Sequence, residues 1–152
     1  MLLYPNGDIY FGQQSQFTKH GYGKLIKISG GFLEGTWDED KFSGSHCRIF
    51  DEETGNLYVG PIEEGKKSGH GRLYDAENDE VYEGEFENDK KSGEGRLIKR
   101  NGQILKGNFH NNFLEGNVTK DTITNKKQID VIFTNAKAQN NLYLAVNKEG
   151  GQ

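Results

Sequence analysis

Residues 60–67 read GPIEEGKK, one position short of G-x-x-x-x-G-K-[ST], the loop whose backbone N–H groups cradle nucleotide phosphates. The final position decides against that chemistry. A Ser or Thr hydroxyl there would ligate magnesium, and Lys67 supplies none. Such a loop should also open a helix, whereas the residues after it read as a strand. The sister stretch EFENDKKSG, residues 85–93, lacks the internal glycine. Histidines and thiols fare no better. His20, His46, His70 and His110 fall in or near turns, and Cys47 follows His46. Neighbours on a strand point to opposite faces, so His46 and Cys47 form no nucleophile–base pair. Stacking of successive units could bring His46 and His70 together, but surface histidines are the expectation, with no metal and no cofactor. Glu83, Glu85 and Glu87 share a strand face, and Asp38, Glu39, Glu63 and Glu64 sit in turns. Acid–base catalysis needs a pocket and a raised pKa, which an open sheet does not offer. No catalytic residue is expected, and the chain is read as not an enzyme.

The lysines carry more information. Lys19, Lys41, Lys66, Lys67, Lys90 and Lys91 occupy the same inter-strand segment in four successive units. They are expected to line one side of the molecule, where each could contribute about 1 kcal/mol near an anionic lipid surface. Asp38, Glu39, Asp40, Glu63, Glu64, Glu87 and Asp89 lie in the same segments and offset that charge.

The elements that position these residues are written as a repeat. Glycines at 12, 35, 60, 84 and 107 recur at intervals of 23–25 residues, and each is followed nine residues later by another, at 21, 44, 69, 93 and 116. In YEGEF, residues 82–86, Tyr82, Gly84 and Phe86 alternate with Glu83 and Glu85, the period of a half-exposed strand. In GEGRL, residues 93–97, Gly93, Gly95 and Leu97 take one face. Asn6-Gly7, Gly30-Gly31, Gly55-Asn56, Asn78-Asp79 and Asn101-Gly102 mark the turns between units. The reading is a continuous antiparallel meander with two strands per repeat. Rings lying over strand glycines would bury aromatic surface within one sheet.

YEGEFENDKKSGEGRL (82–97) and YVGPIEEGKKSGHGRL (58–73) resemble MORN repeats, the membrane occupation and recognition nexus family. The resemblance covers about residues 8–118, with a partial repeat over residues 1–7 in front. It implies an all-β fold: an elongated, single-layer antiparallel meander of about five repeats with an aromatic and glycine-lined groove. It also implies a non-catalytic binding or scaffold role, often in ciliary, cytoskeletal or membrane-associated assemblies, while the single cysteine and the lack of a leader pattern lead to the expectation of a cytoplasmic location. The expected partner is a protein segment held against Trp37, Tyr58, Ile62, Tyr82, Phe86 and Phe109. The alternative is a peripheral membrane adaptor using the lysines. Repeats three and four fit throughout. Gln14 stands where repeat one should have a ring, Leu33 and Leu105 replace tyrosine in repeats two and five, and His46 and Val118 stand where a second glycine is expected.

Composition narrows the classes further. A net charge of −4 disfavours general nucleic-acid binding, and a single cysteine cannot form an internal disulfide. The first ten residues have no basic, apolar leader pattern. Residues 119–152 leave the repeat and are expected to cap the array or form a tail. Within them QIDVIFT (128–134) alternates like a strand, and NLYLAV (141–146) could be strand or short helix.

Overall fold

The computed structural model describes residues 1–139. Twelve strands make one antiparallel sheet: β1 Leu2–Leu3, β2 Ile9–Ser15, β3 Thr18–Ile26, β4 Phe32–Asp38, β5 Lys41–Asp51, β6 Asn56–Glu63, β7 Lys66–Lys67, β8 Gly69–Asp75, β9 Glu80–Glu87, β10 Lys90–Lys99, β11 Gln103–His110 and β12 Phe113–Thr122. They follow one another in chain order, with the short β7 pairing only β6. One helix follows, α1 Lys126–Lys137.

Each repeat closes in a two-residue turn: Gln16-Phe17, Glu39-Asp40, Glu64-Gly65, Asn88-Asp89 and Asn111-Asn112, all with φ between 45° and 79°. Two successive left-handed residues give the turn the same twist as the strands it joins. Beyond the turn the second strand bulges. Residues 20–22 of β3, 92–94 of β10 and 116–118 of β12 each face a single residue of the preceding strand. On β5 the bulge holds four residues, 44–47, opposite Gly35. That extra residue corrects one expectation. Cys47, not His46, takes the second-glycine position, pairing with Gly60 as Gly95 pairs with Gly107.

The sheet has two unlike faces. Tyr10, Trp37, Tyr58, Ile62, Tyr82, Phe86 and Phe109 lie on the front. Phe32, Leu57, Tyr74, Val81 and Ile98 form a transverse row on the back, and α1 covers it with Ile129, Phe133 and Ala136. The stretch QIDVIFT is therefore helix, not strand. Ile129, Phe133 and Ala136 recur at the i, i+4, i+7 spacing of one helical face, and Asn125 caps the start by accepting from the Gln128 N–H. Val131, which strand alternation would bury, is 57% exposed. The boundary expected at residue 118 also shifts, since β12 runs on to Thr122. The helix turns back across the sheet and leaves β12's outer edge without a further strand among the described residues. NLYLAV falls outside the described residues.

Back-face polar residues hold the helix in place. Arg48 donates to the Ala138 carbonyl at 2.7 Å and Arg72 to the Asn135 carbonyl at 3.5 Å, so two cations meet the negative end of α1. Lys24 is 4% exposed with its ammonium 3.8 Å from the Phe32 ring centre, and burial lowers its pKa to about 8.

Candidate functional site

The front face is built from one device used three times. Tyr10, Tyr58 and Tyr82 each lie flat over a pair of glycines on adjoining strands. Their hydroxyls donate to the carbonyl three residues on, at Gln13 (2.6 Å), Pro61 (2.8 Å) and Glu85 (2.7 Å). A methyl group on Gly84 or Gly95 would sit 2.6 or 2.5 Å from the Tyr82 hydroxyl. Only a bare backbone leaves room for the ring. Each tyrosine then meets an aromatic ring of the next repeat edge to face: Tyr10 with Trp37 at 5.8 Å, Tyr58 with Phe86 at 5.3 Å and Tyr82 with Phe109 at 5.0 Å.

All six residues expected to form the groove are thus brought to one face, in line. They are also consumed by one another. Trp37, Tyr58, Ile62, Tyr82, Phe86 and Phe109 are 1–5% exposed. Burial pushes the Tyr58 phenol well above its ordinary value and the Tyr82 phenol up to about 12. What remains accessible is a neighbouring row that the sequence reading did not assign to the groove. Leu25, Leu33, Ile49, Leu73, Leu97 and Leu105 are register partners of one another or of the tyrosines, half-buried, and cross the sheet from β3 to β11. The helix is on the other face, so nothing among the described residues covers them. A signal was present in the sequence: Leu25, Ile49, Leu73 and Leu97 stand at the third position of GRL and its equivalents, and Leu33 and Leu105 at the tyrosine position.

The lysines separate into two rows. Lys19, Lys67 and Lys91 turn inward over the rings. Lys67 lies 5.8 Å from the Tyr58 ring centre, Lys91 5.4 Å from that of Tyr82, and Lys19 5.2 Å from that of Trp37. Their backbones are tied to the next turn by reciprocal bonds. The Lys19, Lys67 and Lys91 N–H groups donate to the side chains of Asp40, Asp89 and Asn112 at 2.9, 2.7 and 2.9 Å. The N–H groups of those three turn residues donate back to the lysine carbonyls. For Lys19, burial pushes the pKa down, but bonds to the Tyr4 hydroxyl and to Asp40 outweigh it and raise the value. Lys41, Lys66 and Lys90 form the second row, one position earlier, and are exposed. Phe17 and Phe113, 87% and 71% exposed, stand on the same turn edge at either end of these lysines.

The residues with possible chemistry do not converge. His46 is exposed on the back while Cys47 is buried in front, with its thiol pushed up by burial. His46 and His70 line a common recess, but no group of three His, Cys, Asp or Glu able to hold a metal occurs among the described residues. Residues 60–67 run through β6 and a tight turn into β7, with no helix for a phosphate to meet.

Hairpin repeats of 23–25 residues, laid side by side in one open sheet with tyrosines over glycine pairs, define a single-sheet β-repeat protein. The MORN repeat model matches residues 18–32, 58–80 and 82–104, and the chain carries MORN repeats. Over 40 residues it is 42% identical to phosphatidylinositol 4-phosphate 5-kinase 1 of Oryza sativa subsp. japonica, a match covering 26% of this chain and 5% of the rice protein. The likeness is therefore one of repeat segments and carries no kinase activity with it. MORN repeats are commonly modules that bind proteins or membranes, and nothing in either match supports catalysis.

Proposed function

We propose that the chain is a non-catalytic scaffold module that holds a partner's apolar, helical segment along its front face. The observation carrying this reading is the uncovered aliphatic row Leu25, Leu33, Ile49, Leu73, Leu97 and Leu105, floored by rings that are already rigid. Two strands advance the sheet by about 9.6 Å. One heptad of α-helix advances about 10.5 Å. An amphipathic helix laid across the strands therefore brings an apolar residue to each repeat in turn. Because the rings are locked in place before binding, little conformational entropy is lost at the interface. As a scaffold subunit the chain would belong to a cytoplasmic assembly of the ciliary or cytoskeletal kind. Family resemblance alone supports that placement, and imaging of a tagged chain tests it.

The test is crosslinking of captured partners with peptide mapping, comparing the natural chain with Leu73→Gln/Leu97→Gln. These positions are half-buried, so the fold should persist by circular dichroism while crosslinks to the front face are lost. Crosslinks that survive the double substitution unchanged would remove the aliphatic row from the interface.

A second reading rests on the turn edge, where Lys41, Lys66 and Lys90 stand between the exposed rings of Phe17 and Phe113. Such an edge suits an anionic membrane surface, with the rings entering the interface and the lysines meeting headgroups. Sedimentation with phosphatidylserine vesicles should then weaken as salt rises and fail for Lys41→Glu/Lys66→Glu/Lys90→Glu. Binding equal to that with phosphatidylcholine vesicles would end this reading.

A further inference from the structure

Three of the chain's four arginines stand in one line across the back face. Register places Arg48, Val59, Arg72, Glu83, Arg96 and Lys106 side by side from β5 to β11. The line lies two residues along each strand from the apolar row that α1 covers. It floors a continuous trough, because two adjoining recesses of about 580 and about 540 Å³ share His70 and Glu83. The lining is polar, with Ser45 and His46 at one end and Asn108 toward the other. The chain as a whole carries a charge of −4, so this gathering of cations is not a by-product of composition.

The acids of the trough do not cancel its charge. Glu83 lies between Arg72 and Arg96 in register but pairs with Arg96, at 3.3 Å. Glu94 borders the trough two residues nearer the turn and is exposed. Arg48 is held by Glu34 and by the Ala138 carbonyl. Arg72 reaches the Asn135 carbonyl at 3.5 Å, and neither it nor the exposed Lys106 meets a carboxylate among the described residues. A guanidinium has five donors, so even a paired arginine can accept a further anion. Its flat fork matches a carboxylate, and the line is built from it in a chain otherwise rich in lysine.

Spacing selects the ligand. Arg48, Arg72 and Arg96 stand two strands apart in turn, about 9.6 Å. A polyproline II segment has three residues per turn and rises about 9.3 Å over them, so every third side chain returns to the same side at that interval. Side chains on one face of a β-strand recur at about 6.6 Å and fall out of step. We propose that the trough binds an acidic, extended segment of a partner protein, with carboxylates three residues apart meeting Arg72 and Arg96. Arg48 and Lys106 add positive charge at the two ends. This surface lies opposite the aliphatic row, goes beyond the reading given for that row and does not depend on it.

The test is fluorescence anisotropy of the full chain with a labelled peptide that repeats Glu-Pro-Ala. The comparison is a peptide of the same composition with its glutamates at alternate positions. The first should bind about tenfold more tightly, the effect of one charge-assisted contact brought into place, and should weaken as salt rises. Arg72→Gln should lose about that factor. Lys106→Glu alters an exposed position, so the fold should persist by circular dichroism while binding weakens several-fold. Lys120→Glu makes the same change of charge on the other face, where Lys120 pairs with Leu105, and should leave binding as it was. Equal affinity for the two peptides would overturn the proposal. So would equal losses from Lys106→Glu and Lys120→Glu. Tighter binding of a single-stranded oligonucleotide of equal charge would assign the trough to phosphates and overturn it as well.

Discussion

Repeats one, three and four carry a tyrosine at the ring position and repeats two and five a leucine, and each kind solves the same packing problem differently. Tyr10, Tyr58 and Tyr82 are followed nine residues later by Lys19, Lys67 and Lys91. Leu33 and Leu105 are followed at the same distance by Phe42 and Leu114. Where a ring covers the glycine pair, a lysine packs against the rings: Lys67 and Lys91, half-buried, lie over Tyr58 and Tyr82, and Lys19, buried, lies over Trp37 with its ammonium bonded to the Tyr4 hydroxyl and Asp40. Where leucine leaves the glycine uncovered, an apolar side chain crosses from the next strand to fill the gap: an added methyl on Gly35 would meet Phe42, and one on Gly107 would meet Leu114. The two positions are one packing unit. The ties between turns follow the same division. In repeat three Gly65 stands where its neighbours have Asp40 and Asp89, so the backbone of Phe42 has no side-chain acceptor to meet there.

The comparison sharpens first through deletion of the ring. Tyr82→Ala removes a 1% exposed ring that touches Phe86 and Phe109, and should cost about 3–5 kcal/mol in urea unfolding. Leu105→Ala, half-buried and lacking such contacts, should cost less than half of that. Equal costs would mean that the two kinds of repeat are not energetically distinct.

Alkaline pH separates the tyrosine repeats next. Below pH 10 the Tyr82 phenol is protonated in both folded and unfolded chains. Above it the unfolded chain loses the proton while the folded one, with its pKa raised to about 12 by burial, retains it. Stability should therefore fall between pH 10 and 12, by about 2–3 kcal/mol from this residue. Tyr58 shifts in the same direction and adds to the fall. Tyr82→Phe should flatten the profile, as followed by thermal unfolding across that range.

Gly95→Ala should cost about 1–3 kcal/mol, because its methyl would press on the Tyr82 hydroxyl at 2.5 Å. Gly107→Ala meets the flexible end of Leu114 at 2.9 Å and should cost less. A Tyr82→Leu background should relieve the Gly95→Ala penalty, a coupling that a double-mutant cycle measures. The smallest effect is expected for Lys91→Ala, about 0.5–1 kcal/mol from the lost contact with the Tyr82 ring. Because the ammonium is partly exposed, that value should shrink as salt is raised.

Much of this was legible in the sequence. Alternation in YEGEF and the glycines at fixed offsets identify strands, faces and the hairpin order, and the resemblance to MORN repeats agrees with the matched segments. The rule linking residues nine apart was also present, but the lysine doublets Lys66-Lys67 and Lys90-Lys91 concealed it, because two consecutive lysines do two different jobs. Counting along the chain could not tell that β5 bulges by one residue more and sets Cys47 in the glycine row. QIDVIFT satisfied both periods. A short segment with apolar residues at 129, 131 and 133 alternates as a strand, and only the added Ala136 favours a helix.

The sequence by itself determined the repeat, the antiparallel order and which side chains share a face, because those follow from local periods and turn chemistry. The tertiary structure alone decided how much of that face stays open. Tyrosine rings bury themselves by reaching adjoining strands, and α1 buries the opposite row by turning back over it. Both depend on contacts between residues far apart in the chain. The same long-range packing converts the expected groove residues into a floor and leaves an aliphatic row as the surface a partner can reach.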